Sequence, residues 1–185
     1  DNRILKELFD RGGVTTGYFT KHNGKDMIYK GDKPEVRAVD EKLLSFIDEL
    51  YIENALKEKV KAYLESKGYE CKDYGCFDKS SCDYPDFAKK AAVMVANGEC
   101  EKGIVICTTG VGVSITANKV KGVRAALCHN EHVAKMTRLH NNSNVIAYGA
   151  DIVDVDTAKR MTDIFLETAF SGEERHQRRI DKMEA

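Results

Sequence analysis

The stretch GIVICTTGVGVSITANKVKGVRAAL, residues 103–127, decides the fold. The β-branched run Ile104-Val105-Ile106 ends in Cys107, and Thr108, Thr109, Gly110 and Gly112 follow at once. This order predicts a strand, a glycine turn, a helix, and a second strand over Val123 to Cys128. A thiol therefore stands where a strand stops and a helix begins. The first N–H groups of a helix have no intrahelical partner, and the helix dipole is positive there. A thiolate or an oxyanion is stabilised at such a place. Open parallel α/β sheets build their sites at this edge.

The same rhythm extends on both sides. Leu43, Leu44, Ile47, Leu50 and Tyr51, then Leu56, Val60 and Leu64, recur at helical spacing and stop at Lys67-Gly68. Tyr69 to Tyr74 reads as a strand and Asp78 to Ser81 as a loop. Pro85 opens a helix that Asn97-Gly98 closes. Beyond the central unit, His132 to Leu139 reads as a helix, and Asn144 to Tyr148 as a short strand ending at Gly149. Asp156 to Thr168 carries Ala158, Met161, Ile164 and Phe165 on one helical face, and Arg175 to Met183 forms a charged terminal helix. Strands alternating with helices predict an α/β fold, a three-layer αβα sandwich with a Rossmann-like, doubly wound parallel sheet over residues 39–185. Residues 1–38 break the rhythm and read as an N-terminal appendage, with VTTGYFTKHNGKDMIYKG a β-hairpin around Asn23-Gly24.

At 185 residues the chain suits one domain with a small addition. A net charge of -1 argues against a nucleic-acid surface. No apolar run approaches the roughly 20 residues that cross a bilayer, so no membrane partner is expected. The charged opening DNRILKELFDRGG lacks a signal-peptide core, which predicts a cytoplasmic protein. The six cysteines include no CxxC pair, so a zinc ribbon has no support and reduced thiols are expected.

From about Glu53 onward the chain resembles the ribose-5-phosphate isomerase B and galactose-6-phosphate isomerase family. The resemblance is carried by ENALKEKVKAYLESKGYE, DYPDFAKKAA, GIVICTTGVGVSITANKVKGVRAALCHNEH, RLHNNSNVIAYG and FSGEERHQRRIDK, in family order and spacing. It implies aldose–ketose isomerisation of a phosphorylated sugar, most simply ribose 5-phosphate to ribulose 5-phosphate, without metal or organic cofactor. It also implies a homodimer or homotetramer with sites built between subunits. Such chemistry needs a base at C2, stabilisation of an enediolate, a group for ring opening and a phosphate anchor. On the family pattern Cys107 is the base. Thr108, Gly110, Val111 and Gly112 line the substrate, with backbone N–H groups of the turn facing the enediolate oxygens. Thr109 assists ring opening or orients the sugar, His140 assists ring opening, and Asn141 binds beside it. Arg175 and Arg179, four apart and so on one helical face, hold the phosphate. Taken singly, each residue has a plainer reading: a strand-end cysteine acting as a small hydrophobe, a surface histidine, a solvated basic tail.

Three departures stand out. Thr108 replaces the glycine usual after the cysteine, adding a Cβ beside the substrate. Asp151 stands where many members carry an arginine, and its carboxylate would repel a nearby phosphate. The Gly-x-Asp-His-x-Gly strand that normally opens the family domain is missing, and no Asp-His dipeptide occurs in the chain. Asp48 and His22 are poor substitutes. The lost strand leaves a gap to be filled by Met27 to Lys30 or by the N-terminal arm of another subunit. These departures keep a second reading open: a catalytically impaired sugar-phosphate-binding subunit, or a partner subunit of the galactose-6-phosphate isomerase type.

Overall fold

The computed structural model describes residues 55–75 and 83–185 in full, and the backbone alone of residues 17–22, 25–30 and 35–38. Two compact units divide the chain: residues 1–51 with 76–82, and residues 52–75 with 83–185.

In the first unit, β1 (Gly17–His22), β2 (Lys25–Lys30) and β3 (Glu35–Ala38) form an antiparallel sheet in the order β1-β2-β3. The β1–β2 pairing runs from Gly17↔Lys30 to His22↔Lys25, and the β2–β3 pairing from Met27↔Ala38 to Lys30↔Glu35. Met27 to Lys30 therefore belong to this sheet and do not fill the gap in the parallel one. Both their ladder sides are taken by β1 and β3. Asn23, Gly24, Asp48 and the helix expected over residues 39–54 lie outside the described residues.

The second unit begins with α1, residues 55–66, followed by α2 (Tyr84–Ala96), β4 (Gly103–Cys107), α3 (Val111–Ala117) and β5 (Ala125–Leu127). It closes with α4 (Glu131–Asn141), β6 (Val145–Gly149), α5 (Val155–Glu167) and α6 (Glu174–Glu184). The three strands form a parallel sheet in the order β4-β6-β5. Gly103↔Val145 to Cys107↔Gly149 sets one register, and Ala125↔Val145 to Leu127↔Ala147 the other.

Because side chains alternate across a strand, central β6 supplies both faces. Val145 and Ala147 pack on one side with Val105 and Cys107 of β4 and with Ala88, Ala92, Val113 and Ala117 of α2 and α3. Ile146 and Tyr148 pack on the other with Leu56, Val60 and Leu64 of α1, Ala134 of α4, and Ala158, Met161 and Phe165 of α5. All five residues of β6 are buried, as expected of a parallel strand covered on both faces. The expected αβα layering is thus present. Each fully buried side chain of the size of Phe165 or Met161 contributes about 1.5–3 kcal/mol.

Helix ends follow local chemistry. Asp154 accepts from the Thr157 N–H and caps α5, and Asn130 accepts from the Val133 N–H and caps α4. Pro85 sits in the first turn of α2, where its missing N–H costs nothing. Asn142 ends α4 in the left-handed region (φ 44°).

The expected strand over Tyr69 to Tyr74 is absent, since these residues pair with no described strand. An alternating pattern makes a strand only when a neighbour completes its ladder. Asp73 instead serves an ion pair with Lys57 at 3.3 Å and accepts from the Gly75 N–H.

Candidate active site

At the C-terminal edge of the sheet, β4 ends at Cys107, whose side chain is buried against α2 and α3. The backbone then turns sharply. Gly110, at φ 78°, caps α3 and donates its N–H to Cys107 Sγ at 3.1 Å. A donor aimed at sulfur stabilises negative charge on it. The positive φ requires glycine, and so does the space. A Cβ on Gly110 would lie 2.6 Å from Leu127 Cδ1 and 2.7 Å from the Tyr148 carbonyl carbon.

Gly149, at the end of β6, completes the cradle. A Cβ there would lie 2.6 Å from the Thr109 carbonyl carbon and 2.7 Å from Thr108 O. The turn after Cys107 thus rests on the backbone of β6 with no side chain between. Ala150 N–H donates to Cys107 O at 2.9 Å and Asp151 N–H to Thr108 O at 3.1 Å, which extends the ladder past both strands. Thr109 is exposed, and its Oγ1 accepts from the Val111 N–H at 3.4 Å. Asp151 is also exposed, on the rim of the turn, so the notional arginine position carries a solvated carboxylate.

Tyr84, in the first turn of α2, lies across Gly112. A Cβ on Gly112 would come within 2.5 Å of the Tyr84 hydroxyl. Tyr84 is 47% exposed, and Val111, Ile115, Leu127 and Ile152 are exposed as well. Val111 and Ile115 share one face of α3, Leu127 abuts Gly110, and Ile152 follows Gly149, so this apolar rim surrounds the thiol edge. The sequence gives two signals for this cradle: Gly149 directly after an apolar strand, and a Tyr-Pro pair at a helix start.

The remaining site residues lie elsewhere. His140 and Asn141 occupy the last turn of α4, which leads into β6. Gly103 N–H at the start of β4 donates to Asn144 O at 2.9 Å, so this turn marks the N-terminal edge of the strands. Cys107 lies four residues further along β4, about 13 Å away at the rise of a parallel strand. Arg175 and Arg179 are exposed on α6 beside His140. The His176 ring packs on the His140 ring with centroids 4.3 Å apart, and Arg175 pairs with Glu173 at 2.7 Å. Within one chain the structure brings together Cys107, Thr108, Thr109, Gly110, Val111 and Gly112 at one edge. It brings together His140, Asn141, Arg175 and Arg179 at the other.

Arg138 holds the second edge in place. It is buried, and its guanidinium donates to Ser143 O, to Asn142 Oδ1 at 2.9 Å and to Thr168 O at 3.1 Å. Arg124 donates to Asn141 O at 2.9 Å and to Asn142 O at 3.0 Å, and pairs with Glu184 of α6. Among the described residues, no group of three or more His, Cys, Asp or Glu side chains is placed to hold a metal ion. Nor is any described helix long and apolar enough to cross a membrane.

A parallel sheet with a thiol and a glycine turn at its strand ends has the place where open α/β folds bind small molecules. A family model described as Ribose/Galactose Isomerase matches residues 52–183. Ribose-5-phosphate isomerase B of Escherichia coli (strain K12) is 41% identical over 130 residues, covering 70% of this chain and 87% of the relative. Galactose-6-phosphate isomerase subunit LacB of Clostridium acetobutylicum is 41% identical over 122 residues, covering 66% and 70%. The structure of Clostridium thermocellum ribose-5-phosphate isomerase B superposes with a TM-score of 0.69 at 45% identity, covering 71% of this chain and 88% of that one. The chain belongs to the ribose/galactose isomerase family and is a sugar-phosphate isomerase.

Proposed function

We propose that the chain converts ribose 5-phosphate to ribulose 5-phosphate through an enediolate, with Cys107 as the base. The observation that carries this reading is the thiol that receives the Gly110 N–H at 3.1 Å inside a cradle closed by Gly149. The Cys107 thiolate takes the proton from C2, the C2–H electron pair becomes the C1=C2 bond of the enediolate, a proton passes from O2 to O1, and the thiol returns its proton to C1 as the carbonyl forms at C2. With the Gly110 N–H given to the sulfur, the N–H groups of Val111 and Gly112 at the start of α3 face the oxyanion as charge develops, where hydrogen bonds accelerate the step most. His140 moves the proton that opens the furanose ring, with Thr109 and Thr108 orienting the sugar. Arg175 and Arg179 anchor the phosphate, and Asn141 binds a sugar hydroxyl.

The two groups of residues stand on opposite sheet edges, so one copy does not assemble all of them. A complete site then takes the Cys107 edge of one copy and the His140–Arg175–Arg179 edge of a second. The apolar rim of Val111, Ile115, Leu127 and Ile152 suits such a contact. Coexpressing C107A with H140N tests this directly. In a two-fold dimer each mixed pair regains one intact site of two, so the mixture recovers about a quarter of wild-type activity while either variant alone is inactive. A mixture as inactive as its parents refutes the shared site.

A second reading rests on the missing Asp-His dipeptide and on the LacB relative: a subunit that needs a different partner chain to turn over. Assays of the purified chain with ribose 5-phosphate and galactose 6-phosphate separate the two. Turnover of ribose 5-phosphate by the chain alone supports the first, and phosphate binding without turnover of either sugar supports the second.

A further inference from the structure

We propose that His176 is a positioning residue for His140: its buried ring, tethered to the α4 terminus through Ser171, sets the plane in which His140 exchanges its proton. This rests on the reading of His140 as the ring-opening group. His140 is exposed, and an exposed imidazole samples several rotamers. Here one of its faces is occupied. The His176 ring is 3% exposed and lies 4.3 Å from the His140 ring, tilted by 46°.

What fixes His176 is independent of its burial. Its Nδ1 and Ser171 Oγ are hydrogen-bonded at 2.9 Å. Ser171 N–H donates to the carbonyl of Leu139, the residue before His140, at 3.2 Å. The supporting ring is therefore indexed to the same helical turn that carries His140. The Ser171 hydroxyl, able to donate or accept, holds the Nδ1 edge of the ring in place.

Charge completes the arrangement. Burial holds His176 below the usual histidine range, and the neighbouring His140 pushes it the same way. Arg175 and Arg179 on α6 lower it further, and Glu173 at the start of α6 opposes them. The His176 ring supplies a fixed aromatic surface beside His140.

Two variants dissect the role. His176→Asn retains a polar atom for Ser171 but removes the ring under His140. Ser171→Ala keeps the ring and cuts its tether. Each is expected to lower kcat about tenfold with KM for ribose 5-phosphate little changed, because a misdirected proton donor costs rate more than binding. In NMR spectra of the full chain, the His140 ring resonances should lose their ring-current offset in His176→Asn. Unchanged His140 resonances in His176→Asn, or wild-type kcat in folded Ser171→Ala, overturn the proposal. If His176→Asn does not fold, Ser171→Ala decides by the same two readouts. A His140→Asn control separates the two levels: full activity there removes His140 from the chemistry, while the resonances still report whether His176 holds its ring.

Discussion

Replacing Gly149 by alanine probes the cradle without touching any group that contacts a proton. Gly149 is not among the glycines with positive φ, so alanine meets no backbone strain of its own. The new Cβ would lie 2.6 Å from the Thr109 carbonyl carbon, 2.7 Å from Thr108 O and 2.7 Å from the Thr109 Cα. These are backbone atoms of the turn and cannot rotate away. To regain ordinary contact the turn after Cys107 must retreat by about 0.8 Å, a displacement close to the ~1 Å that costs about 100-fold in a positioned reaction. Overpacking should cost about 1–3 kcal/mol of stability at the same time. The matched control is Gly103→Ala, at the far end of β4. Its Cβ meets only the Val145 and Val95 methyls at 3.1 Å, which can shift slightly. Steady-state kinetics and thermal melts on both variants give the comparison. Gly149→Ala should lose 10- to 100-fold in kcat/KM while folded, and Gly103→Ala should keep its rate. A folded Gly149→Ala protein with wild-type kinetics would show that the turn has no catalytic geometry to lose.

Cys107→Ala should abolish turnover while phosphate still competes for binding, since proton abstraction belongs to the transition state; calorimetry with a substrate analogue checks the binding. Arg175→Ala and Arg179→Ala should each raise KM by the loss of a charge-assisted hydrogen bond, about 1.5–3 kcal/mol, with inorganic phosphate inhibition weakened in parallel. Burial pushes the Cys128 thiol up to about 12. Alkylation at pH 8 followed by mass mapping should therefore leave Cys128 unmodified, and rapid labelling there would mean that the α4–α5 side of the sheet opens readily.

The layered core was legible because parallel strands buried on both faces need continuous β-branched runs, and Ile104-Val105-Ile106 and Val145-Ile146 are such runs. The thiol turn is legible because Gly110 and Gly112 directly follow the strand; Gly149 reads only as a strand end, because the backbone it admits belongs to a turn distant in sequence. Tyr69 to Tyr74 misled because the pattern of a single segment carries no information about its ladder partner. Motif spacing also did not reveal that His140 and Cys107 stand at opposite sheet edges. That separation follows from connectivity, since α4 runs into the start of β6 and its last turn must lie where the strands begin. The contact of His176 with His140 joins residues 36 positions apart through the packing of α6 on α4, and neither histidine looks unusual in its own segment.

Arg138 gives the corner around His140 an unusual resistance. Its three oxygen partners are the carbonyls of Ser143 and Thr168 and the side-chain amide of Asn142, and none of them takes up a proton in mild acid. The start of α5 is built differently, on the Asp154 carboxylate, which the Thr157 N–H and hydroxyl hold below the usual range. A carboxyl depressed on folding contributes stability above its unfolded pKa and loses it as pH falls through the folded value. Acid should therefore loosen the Asp154 cap of α5, while the Arg138 contact to Thr168 O is unaffected by protonation. Hydrogen exchange measured along α5 as the pH is lowered would show protection lost at the Asp154 end.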